Sequence, residues 1–174
     1  MCVTHMTPQD ALPFAILFIG TGAGAAIDIR TRCVPNALTL ALAASGLLVA
    51  GAGVGPIGPA AALAGCGIGL ALMLPGYLIG GTGAGDVKLP AAAGTLLGPA
   101  ATLWAFGFTL IAGGAFALLV AAVRGRLWLT CWRTVDLIRT GGANAGDIRA
   151  TGENNRFAYA PAIAVGVLIA VVTI

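Results

Sequence analysis

Two of the six acidic residues differ from the others in where they fall along an apolar chain. Asp28 follows an apolar run over 11–27, and Asp86 precedes another apolar run after a glycine-rich stretch. A carboxylate at the edge of a membrane-embedded region is costly to desolvate, so such residues tend to mark a functional site. The other four acids lie in the N-terminal tail or among arginines, where solvated pairing explains them: Asp10, Asp136, Asp147 and Glu153.

Two facing carboxylates can hydrolyse a peptide bond without a metal or a covalent intermediate. In a low-dielectric site they share one proton, because the first charge opposes the second ionisation. The ionised carboxylate takes a proton from water, and the protonated one polarises the scissile carbonyl and later protonates the leaving amine. The alternative for each aspartate alone is a helix cap, or an ion pair with Arg30, Arg32 or Lys88.

The composition indicates that the elements carrying these aspartates are membrane helices. Hydrophobic residues make up 59% of the chain and charged residues 9%, whereas a soluble domain carries about 25% charged residues. We therefore predict an all-α, polytopic membrane helix bundle with about six transmembrane helices. The apolar runs are approximately 11–27, 37–53, 60–79, 89–97, 101–123 and 157–174.

The number of crossings depends on the short fourth run. Even counted over 86–97 it gives about 18 Å of helix at about 1.5 Å per residue, and the alternative is one long span over 89–123, which leaves five crossings. Six crossings put all nine basic residues on one side, in the segments 28–36, 80–88 and 124–156, as the positive-inside rule requires. We therefore expect both termini outside and both aspartates near the cytoplasmic face of the inner (plasma) membrane.

Residues 1–174 are expected to form a single membrane domain with a cytoplasmic loop over 124–156. Trp128, Trp132 and Val135 have helical spacing in that loop, which predicts a helix lying at the membrane interface. The segment would either form a docking surface for a substrate or serve only as a basic loop that fixes the membrane topology.

The sequence gives no indication of a bound metal, cofactor or nucleic acid. The four cysteines are scattered without a C-x-x-C pair, which argues against a zinc site or a disulfide framework. The stretch Gly81-Thr-Gly-Ala-Gly-Asp86 has neither the spacing of a dinucleotide fingerprint nor the Gly-Lys-Ser/Thr of a phosphate loop. Glycines at this point would instead let an extended substrate backbone come close.

Other small-residue patterns predict how the helices pack. Gly20-x-x-x-Gly24 and Gly65-x-x-x-Gly69 have the spacing that lets membrane helices approach closely. Lys88 would either anchor its helix at the lipid headgroups or modulate the aspartate pair.

At these residues the sequence resembles the type IV prepilin peptidase family, the GxGD membrane aspartyl peptidases. One signature runs from Asp28 through a short basic loop to Pro35-Asn36, and the other is Gly83-Ala-Gly85-Asp86-Val-Lys88. A weaker match is Tyr159-Ala-Pro161. The resemblance covers about residues 14–123 and 156–170.

The resemblance implies that Asp28 and Asp86 are the catalytic pair. It implies cleavage of the basic leader of type IV (Flp-like) pilin precursors at the cytoplasmic face, with the prepilin as substrate and lipid as surroundings. The residues that would shape the site and bind substrate come from the same two motifs: Gly83, Gly85, Lys88, Pro35 and Asn36.

Two departures from the family pattern carry expectations of their own. Only about ten residues precede the first apolar run, and they contain no cysteine pairs. We therefore expect the short form seen with Flp (tight-adherence) pili, without N-methyltransferase activity. Pro90 stands where an aliphatic residue is more usual, and we expect it to bend the fourth span.

Other functions remain open at this point. Glycine-rich breaks and intramembrane acids also fit a non-enzymatic small-solute channel or transporter, which would need a continuous polar path. Another GxGD peptidase, acting on preflagellins or within the membrane, is the third hypothesis. The sequence also leaves open a homo-oligomer, association with pilus-assembly machinery, and a start at Met6 instead of Met1.

Overall fold

The computed structural model describes residues 11–78, 82–123 and 159–173, together with residues 132, 135 and 139. Within these residues the chain forms five long helices, which confirms the all-α prediction for the described part of the chain. They are α1 (Ala11–Thr31), α2 (Asn36–Gly51), α3 (Pro59–Leu78), α4 (Ala84–Val123) and α5 (Ala160–Thr173).

Three of these helices are long and apolar enough to cross a membrane. They are α1, α3 and most of α4, while α2 and α5 are apolar but shorter. The chain is therefore a membrane-type helical protein. Trp132 and Val135 are helical and exposed, whereas Trp128 and most of the loop over 124–156 lie outside the described residues.

Helix α4 is interrupted at Gly98, where the backbone angles are φ 74° and ψ 177°. Side chains from both of its parts line one small cavity, and these include Pro90 and Thr109. In a straight helix those two residues would be about 28 Å apart, so the chain folds back at Gly98. This interruption falls in the gap between the predicted apolar runs over 89–97 and 101–123, and Pro90 keeps helical backbone angles. Six membrane crossings remain a prediction.

The first part of α4, residues 84–97, is the centre of the bundle. Residues 91–98 are all buried, because α2 and α3 pack on this part of the helix and α5 packs against α4 as well. A helix this short falls below the roughly 20 residues that span a bilayer. Burial among its neighbours is the condition under which such a segment can lie at membrane depth.

Glycines set how closely the neighbouring helices approach. A Cβ on Gly65 would collide with the carbonyl oxygen of Gly94, and a Cβ on Gly69 would lie 2.5 Å from the carbonyl oxygen of Pro90. These contacts confirm the close packing predicted from the Gly65-x-x-x-Gly69 spacing. Gly20 likewise faces the Leu42 side chain, where a Cβ would lie 2.5 Å from Leu42 Cδ1.

The helix ends gather into two opposite ends of the bundle. At one of them Pro13 of α1 contacts the turn after α2, where a Cβ on Gly55 would lie 2.9 Å from Pro13 Cγ. Gly98 lies at the same end, against Ile57. The other end comprises residues 28–36, 82–88 and 159–160, and we call it the aspartate end.

Candidate active site

Asp28 lies one turn before the end of α1 and is 4% exposed. Its Oδ2 accepts a hydrogen bond from the N–H of Ala160, 3.2 Å away. Ala160 is the first residue of α5, and an N–H at that position has no partner within its own helix. The partial positive charge of a helix N-terminus also favours a carboxylate. The end of α1 is therefore tied to the start of α5.

Asp86 lies in the first turn of α4 and is 9% exposed. Its Oδ2 accepts a hydrogen bond from the N–H of Gly83 at 3.0 Å, and its own N–H donates to the Gly83 carbonyl at 3.1 Å. A Cβ on Gly83 would lie 3.3 Å from Asp86 Oδ2. Gly83 therefore binds the Asp86 carboxylate through its backbone N–H, and because it has no side chain it leaves the facing side of that carboxylate uncovered.

The structure brings the two predicted aspartates together. Each carboxylate lies within range of the other's charge, and the two charges repel. Asp28 and Asp86 are close because α1 and α4 pack against each other about one helical turn away from each aspartate. A Cβ on Gly24 would lie 3.3 Å from Leu89 Cδ1, and Leu89 is fully buried.

Lys88 and Asn36 join the two motifs directly. Lys88 Nζ donates a hydrogen bond to Asn36 Oδ1 at 2.9 Å, on the exposed surface of the aspartate end. Neither of the two roles expected for Lys88 included this contact. Asn36 is the first residue of α2, so the bond fixes the start of α2 against the start of α4.

Pro35 sets where α2 begins. It has extended backbone angles, φ −63° and ψ 136°, and its carbonyl accepts from the N–H groups of Leu38 at 3.1 Å and Thr39 at 3.3 Å. A proline is suited to this position because its φ is fixed near the value observed. Its role is to deliver Asn36 to the position from which that side chain reaches Lys88.

The absence of a side chain at Gly85 lets the loop between α1 and α2 pack against the start of α4. A Cβ on Gly85 would lie 3.0 Å from Val34 Cβ and 3.2 Å from the Val34 nitrogen. Val34 is buried, and Arg32 turns the chain towards it with a left-handed φ of 53°. The loop over 32–35 therefore closes on the start of α4, next to Asp86.

Tyr159 and Ala160 were not among the predicted site residues, although the motif containing them was noted. Ala160 supplies the N–H that holds Asp28. Tyr159 is partly buried and lies within range of the charge of Asp86. Residue types could not show this, because a backbone N–H carries no signature in the sequence. The available signal was Tyr159-Ala-Pro161, with a proline in a first helical turn.

The described part of the chain holds no group of three or more His, Cys, Asp or Glu side chains arranged as a metal site. The expectation of a reaction without a metal stays a prediction. What the described arrangement offers chemically is two buried carboxylates, each with one backbone donor, at one end of a helix bundle.

Comparison with known proteins adds one finding to this geometry. Residues 15–120 match the type IV leader peptidase family. The match spans more than half of the chain and includes both aspartates, most of α1, all of α2 and α3, and most of α4. No curated protein and no solved structure matches the chain.

Proposed function

Since the chain belongs to the type IV leader peptidase family, we propose that it is a prepilin leader peptidase with Asp28 and Asp86 as its catalytic pair. It would remove the basic leader of Flp-like pilin precursors as an aspartic endopeptidase. The supporting observation is that two buried carboxylates lie at the same end of the bundle, each accepting a hydrogen bond from a backbone N–H. Such a pair is suited to holding a single proton.

The mechanism uses both protonation states of the pair. Each carboxylate directs Oδ2 to a backbone N–H, at Ala160 or at Gly83, so Oδ1 is the oxygen available to water or substrate. The ionised aspartate takes a proton from water as the oxygen attacks the scissile carbonyl carbon. The protonated aspartate donates to the carbonyl oxygen. The C–N bond then breaks, and a proton passes to the leaving amine.

The start of α4 is the side from which we expect the substrate to approach. Gly83 and Ala84 are exposed, while Asp86 behind them is buried. Without a side chain at Gly83, an extended peptide can lie against the backbone close to the Asp86 carboxylate. Lys88, Asn36 and Pro35 would border the same approach, because the bond between Lys88 and Asn36 joins the starts of α2 and α4.

The proposed setting is the inner membrane, with the site on the cytoplasmic side. It is supported by the sequence segments that carry all nine basic residues, since basic segments stay on that side. Residues 1–174 would then form one membrane domain with its loop over 124–156 in the cytoplasm.

The test is co-expression with a cognate prepilin that carries a basic leader, a glycine and an apolar helix. We expect wild type to process it, and Asp28→Asn and Asp86→Asn each to abolish processing, because one member of the acid–base pair is lost. Asp136→Asn is the control, since it removes an acid from the basic loop. Processing is followed by the mobility shift and by N-terminal sequencing of the product. Full processing by either dyad variant, at equal membrane levels, would sink the assignment.

The channel or transporter hypothesis is not favoured by the described helices. It needs a continuous polar path, and the cavity between α3, α4 and α5 is lined mainly by apolar side chains. The threonines in that lining, Thr102 and Thr109, donate their hydroxyls to carbonyls of their own helix.

A further inference from the structure

The geometry of Asp28 depends on where α5 begins. The N–H of Ala160 reaches Asp28 Oδ2 across 132 residues of sequence. The Tyr159 carbonyl accepts from the N–H groups of Ala162 at 3.0 Å and Ile163 at 3.2 Å, so Tyr159 is the residue on which the first turn of α5 closes. Any shift of Tyr159 would therefore shift the donor that holds Asp28.

The Tyr159 ring is seated on a glycine of the second part of α4. A Cβ on Gly113 would lie 2.8 Å from both Cε2 and the hydroxyl oxygen of Tyr159, and 2.9 Å from Cζ. At such distances one partner must shift, so a side chain at position 113 would displace the ring from its present place. Further along, Gly166 of α5 faces Thr109 and the carbonyl oxygen of Ala105. Helix α5 thus lies along residues 99–123, and the ring marks its first point of contact.

The same ring lies within range of the charge of Asp86. Tyr159 therefore lies beside both aspartates: the helix turn that begins at Tyr159 supplies the donor to Asp28, and its side chain lies close enough to Asp86 to sense that charge. The ring also packs against the buried hydrophobic core, and Gly113 is the contact at which a single added methyl group would displace it.

We propose that Tyr159 is a positioning residue of the peptidase, whose ring, seated on Gly113, holds the start of α5 so that the Ala160 N–H stays on Asp28. This inference rests on the proposed function, because its effect on catalysis is exerted through Asp28. Tyr159 affects the aspartate pair by positioning the donor to Asp28 and takes no part in the chemical step. Its effect depends on the packing of the ring and not on the hydroxyl group.

Gly113→Ala tests the seat, and Gly114→Ala is its matched control. Both make the same change in the same helix, but a Cβ on Gly114 would meet nothing within 4 Å. The probe is a purified prepilin-like polypeptide with a basic leader, a glycine and an apolar helix, cleaved by the full-length protein in lipid nanodiscs. We expect Gly113→Ala to lower kcat by up to about 100-fold, the loss that a misplacement of about 1 Å produces. KM should stay unchanged, and Gly114→Ala should behave as wild type.

Substitutions of the ring itself separate packing from chemistry. We expect Tyr159→Phe to retain activity close to wild type and Tyr159→Ala to lose kcat as Gly113→Ala does. The variant that combines Gly113→Ala with Tyr159→Ala should have the same kcat as Tyr159→Ala alone, because without the ring the added methyl group displaces nothing. Wild-type kcat in Gly113→Ala, or equal losses in Tyr159→Phe and Tyr159→Ala, would overturn the proposal.

Hydrogen exchange at the start of α5 gives a readout that does not need activity. The amides of this first turn should be protected in wild type and Gly114→Ala and should exchange faster in Gly113→Ala. Exchange in α1 to α3 should be unchanged, which shows that the variant is folded. Unchanged protection in Gly113→Ala would refute the claim that the contact between Tyr159 and Gly113 holds the start of α5. The two proposals can fail separately. If only Gly113→Ala exchanges faster but wild type cleaves no prepilin, the proposed function is refuted, while the role of Tyr159 in positioning the donor to Asp28 is still supported.

Discussion

Gly65→Ala is expected to destabilise the bundle, because α3 and α4 meet there backbone to backbone. An added Cβ would collide with the carbonyl oxygen of Gly94 and come within 2.9 Å of the carbonyl carbon of Gly98. Both obstacles are main-chain atoms, so no side-chain rotation can relieve the contact. The two helices must move apart, and the surrounding contacts of α4 loosen with them.

The size of the effect can be worked out against Gly67, two residues further along α3. A Cβ on Gly67 would meet nothing within 4 Å. Exchanging glycine for alanine in a helix interior stabilises the helix by about 1 kcal/mol, and this gain is common to both positions. Overpacking a close contact costs about 1–3 kcal/mol. Gly65→Ala should therefore have a free energy of unfolding lower than that of Gly67→Ala by about 1–3 kcal/mol.

The assay is reversible unfolding in mixed micelles with an increasing mole fraction of SDS, followed by far-ultraviolet circular dichroism. Gly67→Ala should unfold at or above the wild-type SDS fraction, and Gly65→Ala well below it. If the two variants unfolded together, the close contact between α3 and α4 would be refuted. This result would bear on the fold alone, since neither residue belongs to the candidate active site.

Three further predictions concern the aspartate end and the fold-back. Gly85→Ala places a Cβ 3.0 Å from Val34 Cβ, and leader cleavage should slow by about tenfold or more; wild-type rates would show that the loop yields. Lys88→Met and Asn36→Ala each remove the 2.9 Å bond and should each cost about 0.5–1.5 kcal/mol of unfolding free energy, while additive losses in the double variant would contradict the pairing. Gly98 has φ 74° and ψ 177°, a conformation that is essentially restricted to glycine, so Gly98→Ala should cost about 1–3 kcal/mol in the SDS assay; unchanged stability would contradict the strain.

The sequence predicted those features of the fold that depend on hydropathy and charge. Apolar runs between polar breaks predicted the helices, and the distribution of basic residues predicted that Asp28 and Asp86 lie at the same end. The gap between the apolar runs over 89–97 and 101–123 falls where the fourth helix is interrupted at Gly98, because a glycine followed by a proline is a local signal that weakens a helix.

The rest of the site depends on contacts that no local pattern encodes. The bond between Lys88 and Asn36 requires two helix starts, 52 residues apart in sequence, to meet in register. The donor to Asp28 is a backbone N–H, which nearly every residue possesses. What distinguishes the N–H of Ala160 is its position as the first residue of α5, and that position depends on tertiary packing, which includes the contact of the Tyr159 ring with Gly113.

The tie between Asp28 and Ala160 also has a consequence for synthesis. Asp28 leaves the ribosome 132 residues before its donor does, which at about 5–20 residues per second is a delay of roughly 7–26 s. Both aspartates are thus made while α5 does not yet exist. A nascent chain that has inserted its first helices would carry both proposed catalytic side chains without the helix that orients one of them, so the proposed peptidase would become active only once α5 is in place.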